Sequence, residues 1–205
     1  MIAPPHASSP PIGRRERNRA EKRARILAAA QRLLATQGYE RTTMAQVASE
    51  ADVAIGTVFQ YATTKPELLM MAAADRWSEL ITSVIGASVS SESAVDDIRR
   101  LLRPLLDSAR ADPGNAMAIA RELLFGAPGP HRSAMIDLVA DLESAVASVL
   151  VSSGRGTGAS AAARLIVSGA LLELNRTRTG RASESSIEAR LDDLIEIVVR
   201  GQASH

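Results

Sequence analysis

Apolar residues recur along this chain at intervals of three and four, the period of a helix buried on one side, and no strand-like alternation appears. Ile26, Leu27, Ala30, Leu33 and Leu34 form the first such face, and Gly38 follows where a left-handed residue would stop a helix. Thr42 or Thr43 can cap a second helix with Met44, Val47, Ala48 and Ala51 turned inward. Glu50, Ala51 and Asp52 make a turn, Val53 re-enters the core, and a third, short helix covers about Ala54 to Tyr61. Pro66 suits the first turn of a fourth helix, which continues through Leu68, Leu69, Ala72, Trp77, Leu80 and Val84.

Five more helices follow. Ser91–Arg110 carries Ile98, Leu101, Leu102, Leu105 and Leu106 and ends at Asp112-Pro113-Gly114. Asn115–Phe125 stops at the segment GAPGP, and Pro130–Val151 turns Met135, Leu138, Val139, Leu142, Val146 and Leu150 one way. Beyond the loop SSGRGTG, Ala159–Arg178 is rich in small residues (Ala161, Ala162, Ala163, Gly169, Ala170) that let another helix come close. Ser185–Arg200 closes the chain with Ile187, Leu191, Leu194, Ile195 and Val198. The fold class is all-α, with about nine helices and no internal repeat.

Charge divides this picture in two. Residues 1–70 hold ten cations against six carboxylates, a surplus of four in a chain whose net charge is +1, so the remainder carries −3. A basic head on an acidic body points to an anionic partner for the head. The run Arg14–Arg25 has two readings, an arm that reaches a neighbouring minor groove and a solvated tail; residues 1–20 are expected as a disordered basic arm, the first twelve being proline-rich. Cysteine is absent, which removes disulfides and thiolate chemistry. No run approaches the roughly 18 apolar residues of a membrane helix, and no apolar stretch backs the N-terminal charges as in a signal peptide. A cytosolic protein is the expectation, with no membrane partner.

Aromatic residues make up only 2% of the chain: Tyr39, Phe59, Tyr61, Trp77 and Phe125. Two of the five fall in AIGTVFQYATTK, residues 54–65, where Gly56, Thr57 and Val58 also make a poor helix. Three short helices with a tight second turn are the ingredients of a helix-turn-helix, whose second helix enters the major groove while the one before it braces on the backbone. Residues 25–69, RILAAAQRLLATQGYERTTMAQVASEADVAIGTVFQYATTKPELL, resemble the DNA-binding domain of the TetR family of transcriptional regulators. That family runs close to R-x-x-I-L-x-A-A, then G-(aromatic)-x-x-T-T, then I-A, then A-G-V-S-x-G-T-(apolar)-Y-x-(H/Y)-F-x-x-K-E-x-L. Here Asp52 stands for the usual Gly, Ala54 for Ser, Phe59 for Tyr, Ala62 for an aromatic and Pro66 for Glu.

The resemblance implies a three-helix DNA-binding domain over residues 21–66 and a helical ligand-binding and dimerisation domain over 67–205. It implies contact with double-stranded DNA from Thr42, Thr43 and Met44, and from Ile55, Gly56, Thr57, Phe59, Gln60, Tyr61 and Lys65. Among these, Thr43, Thr57, Tyr61 and Lys65 are expected on phosphates, which set register and salt-dependent affinity. Gly56 lets the backbone come close to a phosphate. Ile55, Phe59, Gln60 and Met44 are expected toward base edges, Gln60 on an adenine and Phe59 on a thymine methyl.

The resemblance also implies a homodimer through the last two helices, with Leu165, Gly169, Leu172, Leu191, Leu194, Ile195 and Val198 at the interface, and a small-molecule effector in the body. Trp77, Leu105, Arg121, Phe125, Met135 and Leu138 are candidate pocket residues, each of a kind that is more often plain core. With few polar aromatics or histidines, the effector is expected to be mainly apolar, with Arg121 or Arg176 available to a carboxylate. No cofactor or metal is expected. The three histidines, His6, His131 and His205, share no pattern with a nucleophile or a metal-ligand spacing, so an enzyme is not expected. The expected function is a ligand-released repressor. The alternative is a dimeric DNA-binding regulator without a ligand, governed by a protein partner or its own abundance.

Overall fold

A computed structural model describes residues 13–86, 93–176 and 187–201. The described residues form nine α-helices and no strand: α1 (Arg14–Arg41), α2 (Met44–Glu50), α3 (Ile55–Tyr61), α4 (Lys65–Gly86), α5 (Ala94–Ala111), α6 (Pro113–Phe125), α7 (Pro130–Ser152), α8 (Ala159–Arg176) and α9 (Ile187–Gly201). No described helix is long and apolar enough to cross a membrane.

The head begins with a difference from the sequence reading. Helix α1 starts at Arg14, so residues 14–20 are helical rather than part of a disordered arm; residues 1–12 of that arm lie outside the described residues. At the other end the expected break is present: Gly38 takes φ 78° and ψ 168°, a conformation that costs a side chain but not glycine. Thr42 then donates its hydroxyl to the Gly38 carbonyl at 2.9 Å. Thr43 and Gln46 close a reciprocal capping box on α2, with Gln46 N–H to Thr43 Oγ1 at 3.2 Å and Thr43 N–H to Gln46 Oε1 at 2.9 Å. Asp52 makes the following turn at φ 50°, a region that Asp visits more readily than most residues. Helix α3 is held chiefly by Val58, fully buried against the α1–α2 core, where such burial contributes about 1.5–3 kcal/mol.

Helix α4 joins head to body. Leu68 through Ala73 are all buried, a run apolar on every side because the N-terminal half of α4 is surrounded, and Trp77 and Ile81 continue inward. Its most extensive partner is α7, which packs in turn on α8. Helix α6 begins two residues before the expected Asn115, because the Asp112 carboxylate accepts the Asn115 N–H at 3.1 Å and Pro113 fits the first turn. Helices α8 and α9 form the last pair. Gly169 of α8 faces Leu194 of α9, which lies where a side chain on Gly169 would stand, and Arg190 pairs with Glu173 at 2.6 Å.

This pairing corrects part of the expected interface. Leu191 and Ile195 are buried inside the chain, and Gly169, Leu194 and Val198 pack on the same core. Of the expected interface residues only Leu165 (62% exposed) and Leu172 face outward, joined by Ile197, which the sequence reading passed over.

Candidate nucleic-acid interface and effector cavities

Seven residues make α3, and their spacing sorts them. Val58 points in, while Ile55, Gly56, Phe59 (44% exposed) and Gln60 point out, one and four residues apart on a single face. Two large apolar side chains half exposed side by side on so short a helix make an apolar patch of the kind that marks interaction sites, with the Gln60 amide beside it. Thr57 is half-buried beside them, Thr43 is exposed at the start of α2, and Met44 is half-buried. The structure therefore gathers Thr43, Ile55, Gly56, Thr57, Phe59 and Gln60 around the outward face of the α2–α3 unit.

Other expected DNA contacts are engaged within the chain. Thr42 is buried and committed to Gly38 and Gln37. Lys65 donates from Nζ to the Glu40 carbonyl at 3.0 Å, closing the C-terminal end of α1, and its ammonium lies 4.4 Å from the centre of the Tyr39 ring. An ammonium has three donors, so two remain for another partner. Tyr61 donates its hydroxyl to the Arg19 carbonyl at 3.0 Å.

Tyr61 is also where the body touches α3. The His131 Nε2 lies 2.7 Å from the Tyr61 carbonyl, which fixes Nε2 as the protonated ring nitrogen, and 3.9 Å from the Glu67 carboxylate. Glu67 also lies against Gly129, where a Cβ would collide with its carboxylate. Arg132, one residue on, donates to the Glu122 and Leu123 carbonyls at 2.9 and 2.8 Å and so ties the end of α6 to the start of α7. Arg121 reaches the Tyr39 ring, 5.9 Å from its centre. Burial holds the Tyr39 hydroxyl above its ordinary pKa; Glu122 adds to the shift and Arg121 opposes it. Arg121 thus belongs to the head–body junction and lines neither cavity described below.

Two cavities lie further into the body. The larger, about 420 Å³, is a half-open cleft bounded by α1, α4, α5 and α6. Its floor includes Leu34, Ala72, Trp77, Leu105 and Ile119, and its rim carries Arg32, Asp75, Arg76, Glu79 and Asp112. Across its head-side wall, Asn115 of α6 donates from Nδ2 to the Leu34 carbonyl of α1 at 2.8 Å, and Gln31 of α1 donates to Asp75 of α4 at 3.2 Å. The smaller cavity, about 20 Å³, is enclosed by apolar side chains alone, among them Leu102, Leu142, Val167 and Leu171. Trp77 and Leu105 line both. Met135 is fully buried core, Leu138 packs beside that core, and Phe125 is 83% exposed at the end of α6. The Arg176 side chain lies outside the described residues.

Comparison with known proteins agrees with this geometry. Residues 26–70 match the family model for bacterial regulatory proteins of the tetR family. The HTH-type transcriptional repressor KstR of Mycobacterium tuberculosis is 26% identical over 185 residues, 90% of this chain and 83% of that protein. The crystal structure of Thermus thermophilus FadR in complex with lauroyl-CoA aligns with a TM-score of 0.63 at 22% identity, covering 88% of this chain and 93% of that one. Bacillus subtilis FadR in complex with stearoyl-CoA aligns with a TM-score of 0.63 at 16% identity, covering 87% and 98%. At these identities the two structures share the fold with this chain.

Proposed function

The chain belongs to the TetR family of transcriptional repressors, and from that premise we propose that it works as a homodimer on a pseudo-palindromic operator and is released by a small, mainly apolar effector. The observation that carries the reading is the outward face of α3. Ile55 and Phe59 are each about half exposed and Gln60 is exposed beside them, and a major groove offers partners to each. Gln60 suits an adenine edge, and Ile55 and Phe59 suit thymine methyls. Thr43, Thr57 and the close backbone at Gly56 hold phosphates, and the two spare donors of Lys65 extend that set. Met44 stands at the edge of the base-reading face. Thr42 is left out of it, since its hydroxyl shapes the α1–α2 break.

Two heads read half-sites about 34–36 Å apart only when a dimer sets their spacing. Leu165, Leu172 and Ile197 form the apolar surface of α8 and α9 that we assign to that contact.

The effector is assigned to the cavities that meet at Trp77 and Leu105. The cleft is within the roughly 300–1,000 Å³ of ordinary ligand sites, whereas the inner cavity has room for about one water. An apolar chain would enter the inner cavity by displacing Trp77 and Leu105, and a polar head group would stay at the charged rim. Acyl thioesters have this shape, and Thermus thermophilus FadR is seen with one, lauroyl-CoA. Because α1 and α4 wall the cleft, an occupant would press on the head, and the His131–Tyr61 contact would carry movement of α7 to the end of α3. Release follows only if the effector prefers the DNA-free arrangement.

Selection of bound duplexes from random DNA, followed by thermal-shift and displacement assays with an acyl-thioester series, tests the whole reading. Enrichment of a palindrome with half-sites about 10 base pairs apart, and compounds that both raise Tm and displace that DNA, are expected. Absence of any enriched sequence would overturn the DNA-binding assignment. An enriched operator with no stabilising compound would favour the ligand-independent alternative, which the small size of the inner cavity already lends some weight.

A further inference from the structure

Beyond the α2–α3 unit, the overhanging start of α1 forms a second basic surface. The first buried residue of α1 is Ile26, so residues 14–25 run past the core as three and a third turns of exposed helix, about 18 Å long at 1.5 Å per residue. At 3.6 residues per turn, Arg14, Arg15, Arg19, Lys22, Arg23 and Arg25 fall within one half of the helix circumference, and Glu16, Arg17 and Glu21 fall in the other. That same half carries Ile26, Ala30 and Leu33 further along, where it packs into the head. The basic half therefore continues, past the core, much of the face by which α1 packs into the protein. Among the described residues, no ion pair engages Arg14, Arg15, Arg19, Lys22 or Arg23; Arg25 reaches Asp52 at 3.4 Å, an exposed pair of little strength.

A charged overhang alone would be a solvated tail. Here its direction is fixed by the recognition helix itself: the last residue of α3, Tyr61, donates its hydroxyl to the Arg19 carbonyl midway along the overhang. The chain thus braces a single-signed helix face against the element that enters the groove. Solvent-exposed like charges repel one another along a helix by a few tenths of a kcal/mol per pair, and a polyanion alongside would relieve that repulsion.

We propose that residues 14–25 form a rigid second DNA-binding element, an α1 extension that lies on the phosphates of duplex flanking each half-site and lengthens the site by about five base pairs on that side (about 18 Å at 3.4 Å per base pair). It reads no bases. It adds affinity and salt dependence, and it makes flanking length part of the operator. The proposal rests on the reading of the head as a DNA-binding unit.

The test uses the full chain and the triple variant Arg14→Ala/Arg15→Ala/Lys22→Ala. All three positions are exposed, and alanine keeps the helix. Binding is measured against salt on two duplexes, one with the selected operator plus ten flanking base pairs each side and one trimmed to the operator. The wild-type slope of log K against log salt on the long duplex should exceed that of the variant by about 2–3 for each bound subunit, since each phosphate neutralised adds about 0.9. Trimming should weaken the wild type more than the variant, which keeps Arg19, Arg23 and Arg25 on that half. Equal slopes, or equal sensitivity to trimming, would overturn the proposal. Failure of the wild type to prefer any operator would instead remove the reading beneath it, an outcome visible before the variant is made.

Discussion

In the head, α3 buries Val58 and turns Ile55, Phe59 and Gln60 outward; in the body, Trp77 and Leu105 are buried and line space that exists only because separate helices meet there. The outward face of α3 comes from one stretch of seven residues, whose neighbours in sequence are its neighbours in space. The cleft takes residues from four helices, from Gln31 to Ile119. A surface recognition element can change one side chain at a time with little effect on folding. A cavity wall is also core, so each change there acts on stability and on binding together.

The largest effect should come from confusing core with surface in the last helix pair. Ile195→Ala should cost about 2–5 kcal/mol of stability in a denaturant titration, the usual range for a buried aliphatic truncation, because Ile195 is buried within one chain. Leu165→Glu with Leu172→Glu should leave the helical spectrum intact and shift sedimentation to the monomer. A stable, monomeric Ile195→Ala would reverse those assignments. Next in size, Gln60→Ala should alter discrimination at one operator position by about 1–3 kcal/mol with no change in Tm; an unaltered base preference would make Gln60 a bystander.

Smaller effects separate structural from recognition roles within the head. Thr43→Ala removes the capping box and should lower stability by about 0.5–2 kcal/mol. A loss of DNA affinity larger than the misfolded fraction explains would place Thr43 on a phosphate as well. Lys65→Ala should have the least effect on stability, about 0.3–1 kcal/mol for a cation at a helix end, and should lower the salt slope by about one. Loss of stability with an unchanged slope would confine Lys65 to closing α1.

Most of the head was legible because its signals are local. Gly38 ends the first helix run, Thr43 and Gln46 cap the second, and Val58 stands alone among outward residues. The α1 extension was legible as a charge run, but its helicity and aim were not, since only the Tyr61 hydroxyl in the folded head fixes it. In the body the helices were placed to within a few residues, while their roles were misread. Arg121 and Phe125 looked available for a pocket; one meets Tyr39 and the other faces solvent. In α8 a signal was present: Ala159, Ala162, Ala163, Ile166, Val167 and Ala170 recur at intervals of three and four, which leaves Leu165 and Leu172 on the far side.

By itself the sequence determined the number and period of the helices and most of their caps and breaks, because each depends on backbone preferences and spacing within a few residues. Only the tertiary structure decided which apolar stripes were core and which were surface, where space remains between α1, α4, α5 and α6, and that Tyr61 links the arm, the recognition helix and His131 of the body. Those outcomes depend on how helices far apart in the chain cross and fill volume, a property that no single helix carries in its own pattern.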